Sequence, residues 1–367
     1  MLPLFARELG ADARLIGLIV GASTLTGVVL KFPAGAWSDV LGRRPLLVAG
    51  ALVFALTPFS YLAVSGIGLL IAVRVFHGSA TAIFGPVASA SLSDMAPANR
   101  RATWLSTYST CQGVGQAIGP VVAGYLIALG RFDATFALAG AVALLVPAIV
   151  WAWPARNRPD AAPEPPRRQQ FVHGLAEVVR NRRILLTSAA EASRFLLNGA
   201  LNAFLPLYAS DVVGLSAADI GWLFGLQTVT TLAARPLLGM ASDRIGRRGL
   251  IALGMVVCSA AVLTISIVQT SGGLFASVLV YAAGVAVTSA ATSAYITDVA
   301  SRARYGAAHG VFGTIYDVGA AAGPIMAGLL VAAWGYARML QVIAAAAMTV
   351  ACLFYLLIRE LPAAEDS

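Results

Sequence analysis

Eleven long apolar segments are the feature that most limits how this chain of 367 residues can fold. Each is about twenty residues long, which is the length that an α-helix needs to cross ~30 Å of hydrocarbon. Lipid offers no partner to backbone amides, and the segments show no period-two alternation, so the spans must be helices rather than barrel strands. We predict an all-α integral membrane protein with spans at residues 15–36, 45–65, 67–91, 102–128, 133–153, 183–208, 217–240, 249–269, 273–297, 305–332 and 337–358.

The connections between these spans differ in arginine content. Seventeen arginines lie in one alternating set of connections, while the other set holds only Arg7, Arg14, Arg131 and Arg338. The positive-inside rule places the first set, and with it the C-terminus, in the cytoplasm. We therefore expect a multi-pass protein of the cell's inner membrane. Nucleic acid is an unsuitable partner for this basic chain, because the arginines lie in short gaps rather than along a groove.

The longest connection, residues 154–182, is rich in proline and charge and is predicted to be a cytoplasmic linker. It would separate an N-terminal bundle of five spans (1–153) from a C-terminal bundle of six (183–360), which a cytoplasmic tail (361–367) follows. The sequence contains no metal-ligand spacing, nucleophile arrangement or nucleotide-binding loop. We expect a monomer that is not an enzyme and needs neither a metal nor a cofactor.

The two bundles are related by an internal repeat whose offset is 204 residues. Three separated motifs share this offset, which indicates two copies of one bundle in the same orientation. A loop motif, Gly35-Ala-Trp-Ser-Asp39-Val-Leu-Gly42-Arg43-Arg44, matches Gly239-Met-Ala-Ser-Asp243-Arg-Ile-Gly246-Arg247-Arg248. A glycine–proline motif with Gly115, Gly119 and Pro120 matches one with Gly319, Gly323 and Pro324, and Asp94 and Arg100 match Asp298 and Arg304.

The first repeat begins partway through its first element. The sequence "FLPLYASDVVG" (204–214) ends the first span of the C-terminal bundle, and the related "MLPLFARELG" opens the chain. The sequence as it stands therefore lacks the helix that would precede Met1, and a full repeat would have six spans in each bundle. We expect the faces of spans 15–36 and 102–128 that such a helix would cover to hold apolar or small residues open to lipid or to a cavity.

These motifs resemble those of the major facilitator superfamily of secondary transporters, from Pro3 to about Leu357. The doubled loop motif is the most specific feature, and the glycine–proline motif resembles that of the drug/proton exporters in the family. Arg74-Val-Phe-His77-Gly78 is similar to a motif of proton-coupled members, with His77 in place of a glutamine. The resemblance implies two parallel bundles of six helices that transport a small molecule by alternating access, with the loop motifs acting as gates.

The same motifs also have purely physical interpretations. Asp39 can cap a helix and accept hydrogen bonds from arginine, either across the interface between the bundles or as a local brace. Because Asp39 has one fewer arginine in its loop than Asp243, we expect Asp39 to find its partner across the interface. The glycines of the second motif are spaced for close helix contact, and the prolines bend their helices.

Charged residues inside the spans are the candidates for proton coupling, because a buried carboxylate usually faces a cavity or a partner. Asp317 is near the membrane midplane and has no neighbouring cation in sequence, which would favour its neutral form and suit a proton carrier. The alternative is an ion pair or hydrogen bond to another helix, for example to Arg74 or Arg194. Glu191 can pair with Arg194 one turn away, as a cavity group or as a structural pair. His77 can titrate near neutrality. Lys31 and its equivalent in the second bundle, Arg235, are both expected to extend towards the cytoplasmic face.

Polar residues on the same faces are candidates for the substrate cavity. Asn198 and Asn202 continue the face of Glu191 and Arg194 at four-residue steps, and the remaining candidates are Gln112, Gln116, Gln227, Tyr281 and Tyr316. We expect proton-coupled export of small, amphiphilic or drug-like molecules. The alternatives are a metabolite or sugar importer of the same fold and a truncated membrane protein that does not transport.

Overall fold

The computed structural model describes residues 1–97, 100–152, 180–299 and 305–359, except for the side chains of 32–40, 102, 236–245, 305–309 and 359. Within these ranges every regular element is an α-helix. The helices are α1 (Leu2–Glu8), α2 (Ala13–Leu41), α3 (Arg43–Leu62), α4 (Ile67–Met95), α5 (Arg101–Ala128), α6 (Phe132–Ala143), α7 (Leu145–Ala152), α8 (Arg182–Asp211), α9 (Ala217–Ile245), α10 (Arg247–Ile265), α11 (Ser271–Val299) and α12 (Tyr305–Arg359).

These helices confirm the eleven predicted spans in the described ranges. The fifth span consists of α6 and α7, with Leu144 between them. The last two spans lie within α12, where Gly335 adopts φ 78° and ψ 176° and breaks the helix. A left-handed φ of this kind favours glycine, so the break is encoded in the sequence. We call the two parts α12a (305–334) and α12b (336–359). The short helix α1 is additional to the predicted spans.

Two of the membrane-spanning helices are more polar than the rest. By length and composition alone, eight stretches of the described residues could cross a membrane, and one of them, Gly310–Ile358, contains both α12a and α12b. α8 and α9 are as long as the other helices but are not among these eight. Between its two ends, α8 carries Glu191, Arg194, Asn198 and Asn202. Helices of this composition are stable in lipid only if their polar faces point into the protein.

The repeat is visible in the side-chain contacts at one end of the bundles, which we call the motif end because Gly42 and Gly246 lie there. Arg43 forms an ion pair with Asp94, and Arg247 forms the equivalent pair with Asp298 at 2.8 Å. Arg44 donates to the carbonyl oxygen of Trp151 at 2.9 Å. Arg248 donates in the same way to Tyr355, at 3.0 Å. Helices α1–α7 and α8–α12 are thus two versions of one bundle, called here the first and second halves.

Glycines let the two halves approach each other at two equivalent interfaces. A Cβ atom on Gly17 of α2 would clash with the carbonyl oxygen of Pro324 in α12a. At the equivalent positions, a Cβ atom on Gly221 of α9 would clash with the carbonyl oxygen of Pro120 in α5. Contact between backbones at this distance is possible only with glycine. The interfaces α2–α12a and α5–α9 are therefore related by the same offset as the sequence.

The glycine face of α5 has no helix against it in the described structure. A Cβ atom on Gly319 or Gly323 of α12a would clash with backbone atoms of α8. Their equivalents on α5, Gly115 and Gly119, have nothing within 4 Å of such an atom. This confirms, for α5, the expectation that small residues are left open.

The same expectation for α2 is not supported. Leu25 of α2 is exposed, but so is its equivalent in α9, Val229, although the second half contains α8. The exposure of this face is therefore a property of both halves, as expected for a surface that faces lipid.

Candidate substrate and coupling site

A buried ion pair on α8 lies inside the second half. Arg194 donates through Nη2 to Oε1 of Glu191 at 2.5 Å, and the two residues are 4% and 3% exposed. Thr292 of α11 donates to the other carboxylate oxygen of Glu191 at 3.2 Å. The spacing of one helical turn predicts this pair, and the structure contains it. Such a pair is tolerated in a low-dielectric interior because each charge has a partner and further hydrogen bonds.

Aromatic side chains connect this pair to α12a. The guanidinium group of Arg194 lies over the ring of Phe195, 4.3 Å from its centroid. The ring of Phe195 is stacked on Tyr316 with a centroid distance of 4.5 Å. Tyr316 precedes Asp317, so the stack connects the Glu191–Arg194 pair with the segment of α12a that carries the second carboxylate. The candidate residues Glu191, Arg194, Tyr316 and Asp317 are therefore brought together.

Three candidate residues of the second half have a buried polar atom without a hydrogen-bond partner in the part of the chain that is described. The atoms are Nε of Arg194, Oε1 of Gln227 and the hydroxyl oxygen of Tyr281. Tyr281 was a candidate for substrate contact, but it is fully buried against Cys258. Buried polar groups normally find a partner in the protein, in ordered water or in a ligand. The second half therefore has unused hydrogen-bonding capacity.

Asp317 forms an ion pair with Lys31, which crosses from one half to the other. The expectation of a carboxylate without a cationic partner is wrong, and so is the expectation that Lys31 extends towards the end of its helix. Lys31 is also a different partner from Arg74 and Arg194, which the sequence suggested. The cause is the close contact at Gly17, which brings α2 against α12a. Lys31 lies five residues before the end of its predicted span at residue 36, roughly 7.5 Å along α2, so the pair is within the membrane.

Arg74 and His77 belong to a separate cluster in the first half. Arg74 of α4 donates to the carbonyl oxygens of Ile19 at 2.9 Å and Val20 at 3.0 Å, and to the hydroxyl of Ser23. Nδ1 of His77 is 3.4 Å from the hydroxyl of Tyr61. Arg74 therefore attaches α4 to α2 through backbone carbonyls. The structure does not pair it with either carboxylate of the second half.

The remaining cavity candidates differ in exposure. Asn198 is half-buried, whereas Asn202, Gln112 and Gln116 are exposed. Asn202 lies on α8 and the two glutamines lie on α5, on either side of the boundary between the halves. Within the described residues none of these four side chains makes a hydrogen bond, so their amide groups are available to a ligand or to water.

The gating motifs are described only in part. Gly35, Asp39, Gly239 and Asp243 lie within α2 and α9, but their side chains are outside the described residues, so the predicted latch stays a prediction. Gly42 and Gly246 have φ of 83° and 94°, which turns the chain sharply between helices. The arginines that follow brace each half internally through Asp94, Asp298 and main-chain carbonyls. In the glycine–proline motifs, the carbonyl oxygens of Pro120 and Pro324 are in close contact with Gly221 and Gly17 of the other half.

Contacts at the end opposite the motif end, called here the far end, join the two halves. Arg7 of α1 forms an ion pair with Asp211 of α8, which also accepts a hydrogen bond from Tyr336 at 3.0 Å. Trp222 of α9 donates to the hydroxyl of Tyr125 in α5 at 3.0 Å. Sequence reasoning missed these contacts and the pairing of Lys31 with Asp317, because the partners are far apart in the chain. Among the described residues, no three of His, Cys, Asp and Glu come together as metal ligands would.

Comparison with known proteins identifies the family. The model of the Major Facilitator Superfamily matches residues 1–216 and 187–367. An uncharacterized MFS-type transporter of Methanocaldococcus jannaschii is 24% identical over 97% of this chain and 92% of its own length. The multidrug resistance protein MdtH of Edwardsiella ictaluri is 23% identical over 82% of this chain and 74% of its own.

A solved structure is similar over nearly the whole chain. It is a bacterial homologue of the human lysosomal transporter Spinster, with a TM-score of 0.83 and 16% identity over 99% of this chain and 94% of its own. The similarity confirms the predicted fold of two pseudo-symmetric helical bundles. Together with the repeated loop motif and the paired interfaces between the halves, these matches show that the chain belongs to the Major Facilitator Superfamily.

Proposed function

We propose that this chain is a secondary active transporter that exports small amphiphilic molecules in exchange for protons, by alternating access. The observation that carries the proposal is the Lys31–Asp317 ion pair, an ionisable carboxylate set between the two halves in the membrane interior. Buried ionisable groups in membrane spans mark ion and proton pathways. The multidrug relative supports export. The competing function, uptake of a metabolite or sugar, differs in the direction of net transport.

Alternating access requires two arrangements of the halves, each closed at one end. In the described structure the halves are joined at the far end by Arg7–Asp211 and by Trp222–Tyr125. In the proposed cycle this arrangement receives substrate from the motif end, which faces the cytoplasm because its connections carry most of the arginines. Opening at the far end then releases the substrate.

A proton on Asp317 changes the attraction between the halves. The ionised carboxylate attracts the ammonium group of Lys31, while the neutral acid keeps only a hydrogen bond. The two protonation states therefore favour different distances between α2 and α12a, and a group that shifts the balance between two arrangements couples its own binding to them. In the proposed cycle, protons from the outside reach Asp317 in one arrangement and leave it towards the cytoplasm in the other.

The Asp317→Asn variant tests this coupling, because it preserves size and a hydrogen bond but cannot titrate. In inverted vesicles, a pH gradient should drive accumulation of the fluorescent probe naphthylacetate or naphthylethylammonium by the wild-type chain and not by the variant. Exchange of the same probe at equal concentrations should persist, since it needs no net proton movement. Asp219→Asn serves as the control, because Asp219 only caps α9 at the far end.

Three results would contradict the proposal. If Asp317→Asn keeps full accumulation driven by the pH gradient, Asp317 is not the coupling group. If the wild-type chain accumulates probes only in right-side-out vesicles, it is an importer. If it moves none of the probes, proton-coupled export of amphiphilic molecules is wrong.

A further inference from the structure

The two equivalent interfaces between the halves differ in one charge. At the α2–α12a interface, Lys31 faces Asp317. The repeat offset of 204 residues places Arg235 of α9 at the position of Lys31 and Gly113 of α5 at the position of Asp317. The α5–α9 interface thus repeats the cation without the carboxylate.

The local packing supports this placement of Arg235. A Cβ atom on Gly113 would lie 2.6 Å from Cδ1 of Leu232, which precedes Arg235 by three residues on α9. Gly113 is therefore in contact with α9 next to Arg235. Arg235 is eleven residues before Gly246, so its depth in the membrane matches that of Lys31, roughly 16 Å from the motif end. Its side chain is exposed, and within the described residues it makes no hydrogen bond or ion pair.

The charges of the membrane interior do not balance. Among the described side chains that lie at least five residues from the ends of the predicted spans, the Lys and Arg residues are Lys31, Arg74, Arg194 and Arg235, and the carboxylates are Glu191 and Asp317. The two carboxylates are paired with Lys31 and Arg194, and Arg74 is bonded to main-chain carbonyls. Arg235 is the surplus cation, and its charge interacts with those of Arg194 and Glu191. A cation in a membrane span usually faces a water-filled cavity, an anion or main-chain carbonyls.

Unused hydrogen-bond donors accompany this surplus charge. Nε of Arg194, a residue that is 4% exposed, is buried without a partner, and so is the hydroxyl of Tyr281. An Nε–H group can only donate, and a hydroxyl can donate as well as accept, so both can serve an oxygen acceptor. Gln227 of α9, two turns before Arg235, offers one unused acceptor. The second half therefore holds two buried donors that an oxygen acceptor could use.

We propose that the substrate of this transporter is a small organic anion whose carboxylate is bound by Arg235 at the α5–α9 interface. The inference rests on the proposed transport function and names its substrate class. The single negative charge of a carboxylate balances the one surplus positive charge, whereas a phosphate ester would carry a charge of about −1.5 to −2. Arginine suits the task because its planar guanidinium group binds a carboxylate through two parallel hydrogen bonds.

Binding of three probes with one skeleton tests the proposal on the full chain in lipid nanodiscs. The probes are naphthylacetate, the neutral naphthylacetamide and the cationic naphthylethylammonium, and titration calorimetry measures their Kd. We expect the wild-type chain to prefer naphthylacetate. Arg235→Gln should weaken its binding about ten- to a hundredfold, since a hydrogen bond to a charged group is lost, and Arg235→Lys should recover part of it.

Gly113→Asp provides a sharper test, because it supplies the carboxylate that the other interface already has. The new acid should pair with Arg235, as Asp317 pairs with Lys31, and abolish naphthylacetate binding. Gly113→Asn is the matched control, with the same size and no charge, and the tip of Leu232 can move aside for either side chain. The control should bind naphthylacetate within a few fold of wild type, and monodisperse elution of each variant checks its folding.

The proposal is overturned if wild type binds the amide or the ammonium probe as well as the carboxylate, or binds none of the three. It is also overturned if Gly113→Asp and Gly113→Asn bind naphthylacetate alike. Transport of naphthylethylammonium driven by the pH gradient, without carboxylate binding, would refute the substrate class and leave the proposed transport function intact. If the chain binds naphthylacetate but shows no transport driven by the pH gradient, the proposed transport function is refuted and the proposed anion-binding site still holds.

Discussion

At the scale of single residues, the interior of the second half depends on the pairing of Glu191 with Arg194. Both side chains are almost fully buried, and Thr292 completes the hydrogen bonding of the carboxylate. A buried charge that keeps its partner is tolerated, whereas one that loses it carries the full cost of desolvation. This asymmetry makes the pair a sensitive point for both stability and transport.

Glu191→Gln should therefore destabilise the protein by about 3–5 kcal/mol, because it leaves Arg194 as an uncompensated charge. Thr292→Val, which removes a single hydrogen bond to the same carboxylate, should cost only about 1–3 kcal/mol. Unfolding of the purified variants in mixed micelles measures both values. Unlike Asp317→Asn, Glu191→Gln should also reduce exchange as much as proton-driven transport. A Glu191→Gln variant as stable as Thr292→Val would show that Arg194 has another partner.

Single residues also show what the sequence can and cannot predict. The Glu191–Arg194 pair follows from a spacing of one turn on a helix, so local reasoning finds it. The Lys31–Asp317 pair joins residues 286 positions apart, and no local pattern marks it. The repeat offset was the available signal, since it relates Lys31 to Arg235 and draws attention to a cation at equivalent depth in both halves. The repeat offset does not predict which helix of the other half faces each of these two cations.

At the scale of elements, the spans and their order could be predicted because each must be long, apolar and helical in lipid. The helices extend beyond the apolar runs at the motif end: α2 ends at Leu41, whereas its predicted span ends at 36. Charged and polar residues outside the hydrocarbon continue the helix, and hydropathy does not register them. The break in α12 at Gly335 was anticipated by the gap between the last two predicted spans.

The glycine faces of α5 and α12a allow a matched comparison between elements. Gly319→Val should destabilise the protein by about 1–3 kcal/mol, because the backbone of α8 at Ala192 occupies the space that a side chain needs. Gly115→Val, at the equivalent position of α5, should change stability by less than about 0.5 kcal/mol, because nothing lies within 4 Å. Thermal unfolding of both variants checks this. Equal destabilisation by the two substitutions would show that a helix also packs against Gly115.

At the scale of the whole molecule, the two halves share one fold but not one distribution of charge. The motif-end braces and the glycine contacts between the halves obey the 204-residue offset. The ion pair of the membrane interior does not, because Gly113 replaces the carboxylate at one interface. Duplication explains the fold, and the departures from it mark the positions at which the halves have different tasks. The proposed coupling group and the proposed substrate site both lie at such departures.

The central claim is that the halves separate at the far end during each transport cycle, and cross-linking there tests it most directly. Arg7 and Asp211 join the halves through an exposed ion pair, which contributes little to stability. Cysteines at these two positions, in a chain whose Cys111, Cys258 and Cys352 are replaced by alanine, can be joined by a short thiol-reactive cross-linker. We predict that the cross-linked protein still binds probe but transports none, while the same variant before cross-linking transports it. Transport at an unchanged rate after complete cross-linking would contradict the account.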